Sequence, residues 1–171
     1  MLIREATRND VPSVAQLSAE LAEILRSVGN PVGATLDAAA IAEGGFGPNP
    51  AFKVLVAEVG NVVVGYLLHH PSYDPDLGGR AITVVDLYVT ASFRRRGVGR
   101  ALMSAALEHC HCAGGHALVW WVRAANRDAV AFYEGLGAAA ASGLLSMHLP
   151  VKAVSQASAA DTGLRPRGRQ R

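Results

Sequence analysis

Three arginines and two glycines stand together at Arg94-Arg95-Arg96-Gly97-Val98-Gly99, directly before the helix-forming run Arg100-Ala101-Leu102-Met103. Free backbone N–H groups at a helix start form an anion site, and glycine lets the backbone come close to a ligand. Arginine adds bidentate partners for phosphate. Ahead of this turn lies the apolar, β-branched run Val84-Val85-Asp86-Leu87-Tyr88-Val89, which reads as a buried strand carrying one carboxylate. Strand, basic glycine turn and helix together read as a cradle for a pyrophosphate. Alternation puts the Asp86 side chain on the face opposite Leu87 and Val89. There a carboxylate can act as a base, bind a cationic substrate, or orient a neighbour. Glu43, Glu58, His69 and His70 are further candidates for a base.

The segment His109-Cys110-His111-Cys112 contains the right residue types for a metal. Its spacing argues otherwise. Neighbours at i and i+2 on one helix point apart, so only His109 and Cys112 share a face. Cys110 continues the apolar stripe of Met103, Ala106 and Leu107, so the segment reads as core packing with surface residues, and no metal is expected.

The elements around these residues follow from apolar periodicity and its breakers. Residues 2–6 form a short strand; Asp10 can cap a helix with Pro12 in its first turn, and Val14, Leu17, Leu21, Ile24 and Leu25 have helical spacing. Thr35 caps a second, Ala-rich helix to about Glu43, stopped by Gly44-Gly45. Strands at 52–59 and 62–69 are joined by Gly60-Asn61, a tight hairpin signal. Residues 71–79 hold Pro, Asp and Gly and read as a surface loop, followed by the apolar strand 82–89. A helix spans 98–113, a buried strand 117–122 with Trp120 and Trp121 on opposite faces, a short helix starts at Asn126 or Asp128, and a last strand covers 144–149. The expected class is α/β (α+β), in the order β-α-α-β-β-β-α-β-α-β.

Length and composition bound the rest. A chain of 171 residues suits one domain, here 1–150, plus a tail at 151–171 whose Ser, Ala, Gln and Arg content reads as disordered. The net charge of +2 divides into +4 on that tail and −2 on the body, and no basic stripe of the nucleic-acid-binding kind occurs in the body. The longest apolar runs fall well short of the roughly 18–20 residues a membrane helix needs. Two cysteines spaced by two are poor disulfide partners, which suggests a reducing cytoplasm.

A second motif follows the cradle by about thirty residues: Asn126, then Ala131-Phe132-Tyr133-Glu134-Gly135-Leu136-Gly137-Ala138. With the Arg94–Gly99 turn and the element order, it resembles the GNAT superfamily of acetyl-CoA-dependent N-acetyltransferases over residues 3–149. The resemblance implies a mixed, mostly antiparallel central sheet with flanking helices. It implies that the backbone of Arg94, Arg95, Arg96, Gly97, Val98, Gly99 and Arg100 holds the cofactor pyrophosphate. By the same resemblance, Leu87, Tyr88 and Val89 pair with the pantetheine arm, Asn126 contacts the cofactor, and Tyr133 protonates the departing thiolate. More locally, Asp86-Leu-Tyr-Val with Trp121 to Asn126 and Phe132-Tyr133 resembles the spermidine/spermine and thialysine acetyltransferase branch. That branch often carries Glu-Asp where this chain has Val85-Asp86, a departure that removes one carboxylate from an amine site.

The chemistry implied is direct acetyl transfer from acetyl-CoA to a primary amine of a small molecule or peptide, without metal, nucleic acid or membrane, and with a homodimer among the assemblies common in the superfamily. A lysine-like amine at pKa about 10.4 costs roughly 4.6 kcal/mol to deprotonate at pH 7, whereas an α-amine near 8 costs about 1 kcal/mol. A general base therefore matters most for an alkyl amine. The alternatives are a protein N-terminal or lysine acetyltransferase, and an acyl-CoA-binding sensor without turnover.

Overall fold

The computed structural model describes residues 1–29 and 36–141. Thr35, the strand expected at 144–149 and the basic tail lie outside the described residues. Met1–Gly137 forms one compact unit.

Its centre is a five-stranded sheet in the order β1-β2-β3-β4-β5, made of β1 (Leu2–Glu5), β2 (Lys53–Val59), β3 (Val62–Asp74), β4 (Gly79–Val89) and β5 (Ala117–Val119). The first four strands pair antiparallel, and β5 runs parallel to β4. Helices α1 (Val11–Ser27) and α2 (Ala38–Phe46) precede β2, α3 (Val98–Cys112) crosses over from β4 to β5, and α4 (Arg127–Glu134) follows β5. The mixed, mostly antiparallel architecture matches the expectation as far as the described residues extend.

Two cores lie on the two faces of the sheet. Val14 and Leu17 of α1 and Ile41 of α2 pack against Val54, Val56, Tyr66, Leu68 and Tyr88. On the other face Val98, Leu102, Met103 and Ala106 of α3 pack against Leu55, Ala57, Val64, Leu67 and Val84. Strand alternation assigns these sets to opposite faces. One irregularity in β4 redirects the alternation: Leu68 pairs with Asp86 and His69 with Val84, so Val85 bulges out of the ladder. Val84 consequently faces α3, whereas Asp86 and Tyr88 face α1.

Several boundaries differ from those read off the sequence. The β3–β4 hairpin continues through Pro71↔Ile82 to Asp74↔Gly79, so the loop expected at 71–79 shrinks to a turn. The Asp74 carboxylate closes that turn by accepting from the N–H groups of Asp76 and Leu77. Helix α2 passes through Gly44 and Gly45 to Phe46 rather than stopping there. A Cβ at Gly44 would lie 2.5 Å from the Phe52 ring, so that glycine serves close packing. The cap of α2 is Asp37, which accepts from Ala40 N at 2.8 Å. Asp10 precedes α1 but does not cap it: its carboxylate is held by Arg4 at 2.8 Å and by Thr7, which keeps its pKa far below the usual carboxylate range. Strand β5 ends at Val119, three residues early. Gly60 and Asn61 both have positive φ, as the hairpin turn between β2 and β3 requires.

Candidate active site

Because β5 pairs with β4 only at Ala81–Thr83, the ladder opens beyond that point. From Val84 to Val89 one backbone edge of β4 has no strand partner among the described residues, while the other edge stays bonded to β3. This split in the sheet leads directly into the turn at 94–99.

A short 3-10 turn over Ala91–Phe93 connects β4 to that turn. Arg94 is extended, Arg95 has φ 60 and Gly97 has φ 82, so the backbone twice enters the left-handed region. Such a reversal aims successive N–H groups into one concavity. The first N–H groups of α3 have no intrahelical acceptor and face the same way, with the positive end of the helix dipole behind them. Nothing lies within 4 Å of a Cβ built at Gly97, so this chain leaves the space over the turn unfilled. Gly99 has a different reason: a Cβ there would stand 3.2 Å from the Phe132 ring. Val98 is buried in the α3 core.

The arginines are less available to an anion than their number suggests. Arg94 donates from Nε to the Val89 carbonyl at 2.9 Å and lays its guanidinium 5.3 Å from the Tyr88 ring centre. Arg96 rests over the Phe93 ring. Arg100 donates to the Gly135 carbonyl at 2.9 Å, tying α3 to the end of α4. The side chains of Arg94, Arg96 and Arg100 therefore brace the turn, and its open N–H groups belong to the backbone.

Asp86 and Tyr133 approach the split from its two sides. The Asp86 carboxylate accepts from the Tyr66 phenol at 3.0 Å and is otherwise largely enclosed, which raises its pKa. Tyr133, on α4, packs between Trp120 at 4.9 Å and Phe132 at 5.1 Å between ring centres. Burial pushes the Tyr133 phenol up to about 12, and the charge of Asp86 adds to the shift. A phenol so shifted is a proton donor throughout the neutral range. Leu87 and Val89 join the α3 core together with Tyr133. Asn126 caps α4, accepting from Ala129 N at 3.2 Å. Trp120 lines this side of the core, whereas Trp121 is 77% exposed, and both lie beyond Val119, where β5 ends.

The other base candidates lie elsewhere. Glu58 is engaged by Arg4 at 2.7 Å on β2, two strands from β4. His69 is 2% exposed beneath α3, 5.8 Å from the His109 ring centre, and neither ring nitrogen has a hydrogen-bond partner among the described residues. Cys110 is buried and donates its thiol to the Ala117 carbonyl, as a core residue.

One acidic residue escaped the sequence reading. Glu20, on α1, accepts at Oε2 from the Tyr88 phenol at 2.8 Å and from the Thr90 hydroxyl at 3.4 Å. Its only signal in the sequence is a carboxylate on the polar flank of an amphipathic helix, which by itself reads as a solvated residue.

Comparison with known proteins agrees with this architecture. The acetyltransferase (GNAT) family pattern matches residues 19–138. The thialysine N-epsilon-acetyltransferase of Sus scrofa is 32% identical over 146 residues, covering 81% of this chain and 84% of that protein. The human spermidine/spermine N(1)-acetyltransferase-like protein 1 is 29% identical over 86% of this chain, which spans only 22% of that longer protein. Among solved structures, the tetramutant of the Bacillus halodurans protein BH1408 superposes with a TM-score of 0.71 at 26% identity, covering 88% of this chain and 100% of that one. An aminoglycoside acetyltransferase from an uncultured soil metagenomic sample shares the fold at 21% identity, with a TM-score of 0.67 and coverage of 88% of this chain and 95% of that one. The chain belongs to the GNAT acetyltransferase family, as an N-acetyltransferase similar in sequence to its spermidine/spermine and thialysine members.

Proposed function

We propose that this protein transfers the acetyl group of acetyl-CoA directly to a primary amine of a small molecule or peptide, in the cytoplasm. The observation that carries this reading is the split in the sheet. The free edge of β4 at Val84–Val89 runs into a turn with two left-handed residues and an open space over Gly97. That space and its N–H groups fit a pyrophosphate, and the free strand edge fits an extended amide-bearing arm. Bound there, acetyl-CoA supplies an activated acyl group on a thiol leaving group.

The chain's own residues then have separable tasks. The N–H groups of residues 97–100 hold the phosphates, and the backbone of Leu87, Tyr88 and Val89 orients the arm and the acyl carbonyl. Asn126, as the cap of α4, fixes the helix that carries Tyr133. Tyr133 donates its phenolic hydrogen toward the leaving sulfur. With the phenol at about 12 and a thiol near 8.5, complete transfer of the proton is uphill by about 5 kcal/mol. The useful contribution is accordingly a hydrogen bond that strengthens as charge builds on sulfur. Asp86, on the α1 side, attracts a cationic acceptor in its ionised form and receives its proton directly or through water. Its raised pKa favours that second task.

The acceptor is a cationic amine, in keeping with the amines for which the spermidine/spermine and thialysine relatives are named. Release of free CoA, followed with a thiol reagent across a panel of polyamines, amino acids and peptides, tests the proposal. Turnover confined to amines supports it, and acetyl-CoA binding without turnover on any member would overturn it.

A further inference from the structure

We infer that Glu20 is a positioning residue for the cofactor turn, acting through Tyr88 and Arg94. This inference rests on the reading of the 94–99 turn as the acyl-CoA cradle.

The contacts form an unbroken path from α1 to the turn. Glu20 Oε2 accepts from Tyr88 Oη at 2.8 Å and from Thr90 Oγ1 at 3.4 Å. Tyr88 is 6% exposed, so a phenol in that place needs an acceptor. Its ring, once fixed, carries the Arg94 guanidinium at 5.3 Å, and Arg94 Nε reaches the Val89 carbonyl at 2.9 Å. Thr90 is the residue on which the connecting 3-10 turn is built: Phe93 N donates to its carbonyl at 3.0 Å. Glu20 thus grips both residues that lead into the turn, one by its ring and one at its start. Two left-handed residues follow at once, and a backbone reversal of that kind keeps its geometry only when its flanks are fixed.

A carboxylate beside an amine-binding site could instead be a ligand for the acceptor. The disposition of the oxygens argues for positioning, because both protein donors converge on one oxygen at Tyr88 and Thr90. The Tyr88 bond, at 2.8 Å, is the strong one of the two, and the Thr90 contact at 3.4 Å is a longer, weaker one.

The experiment measures the Kd of CoA by calorimetry and the separate KM values of acetyl-CoA and amine. The set of proteins is wild type, Glu20→Ala, Tyr88→Phe, the double variant, Gly97→Leu and Glu23→Gln. Alanine keeps the helix, and Glu23 lies on the same helix as an exposed residue paired with Arg26. The expected result is a CoA Kd raised about five- to tenfold in Glu20→Ala and in Tyr88→Phe. The double variant should be no weaker than either single one, the amine KM should move less than about twofold, and Glu23→Gln should match wild type. An unchanged CoA Kd in Glu20→Ala, additive losses in the double variant, or a raised amine KM with unchanged CoA affinity would each overturn the inference. Gly97→Leu separates the two levels. If it leaves CoA affinity intact, the cradle reading fails and takes the role of Glu20 with it. If it weakens CoA while Glu20→Ala does not, only the role of Glu20 fails.

Discussion

Replacing Tyr133 by phenylalanine removes one oxygen and leaves the ring. The contacts to Trp120 at 4.9 Å and Phe132 at 5.1 Å persist, so packing and fold stability should change little. What disappears is the phenolic hydrogen proposed to reach the leaving sulfur. A preorganised donor to a developing anion in a dry site contributes about 3–4 kcal/mol, or roughly 10²–10³ in rate. The variant should therefore lose about that factor in kcat while its acetyl-CoA Kd stays within about twofold of wild type. The pH profile gives a second reading. Because the phenol is pushed up to about 12 and stays protonated below that, Tyr133 should contribute no falling limb up to about pH 10. Stopped-flow measurement of CoA release, with saturating amine from pH 6 to 10, gives both quantities. A Tyr133→Phe protein with full kcat would refute the donor role. An alkaline limb near pH 8 that vanishes in the variant would refute the assigned protonation state.

Three further outcomes follow from the same structure. Asp86→Asn should raise the KM of a cationic amine by about 10- to 100-fold, the worth of one charge-assisted contact, and initial-rate kinetics with unchanged amine KM across pH would remove Asp86 from the acceptor side. Gly97→Ala should cost about 1–2 kcal/mol of stability for φ 82 and weaken acetyl-CoA binding, whereas Gly60→Ala, at φ 56 in the β2–β3 turn, should cost similar stability and leave binding untouched. His69, pushed down to about 4 from 6.5 by burial, must be neutral to stay folded in place. The unfolded chain binds its proton first, so stability is full above about pH 6.5 and falls by about 3 kcal/mol as pH drops toward 4. His69→Phe should flatten that loss in urea titrations at pH 4.5 and 7, and an unchanged pH dependence would exclude His69 as its source.

The framework around the proposed site was legible because local chemistry dictates it. Gly97 and the buried run before it mark a strand, a turn and a helix start, and Gly60-Asn61 marks a hairpin by its demand for positive φ. What the sequence hid depends on partners far along the chain. Arg94 reads as a phosphate ligand until its guanidinium is seen on Tyr88 and its Nε on Val89. Glu20 reads as solvated because its partners lie 68 and 70 residues away. The bulge at Val85, which turns Asp86 toward α1, comes from the register of β3 against β4 rather than from any residue preference. At the end of β5 the apolar run continues through Trp120 and Trp121, but the ladder does not, and that early stop creates the split.

The central claim is that the split between β4 and β5 holds the cofactor, with Tyr133 at its leaving group. A crystal structure of the protein with acetyl-CoA tests it most directly. The account predicts the pyrophosphate on the N–H groups of residues 97–100, the pantetheine arm along Leu87–Val89, and the sulfur within about 3.5 Å of Tyr133 Oη. A pyrophosphate bound away from Gly97, or a sulfur out of reach of Tyr133, would contradict it.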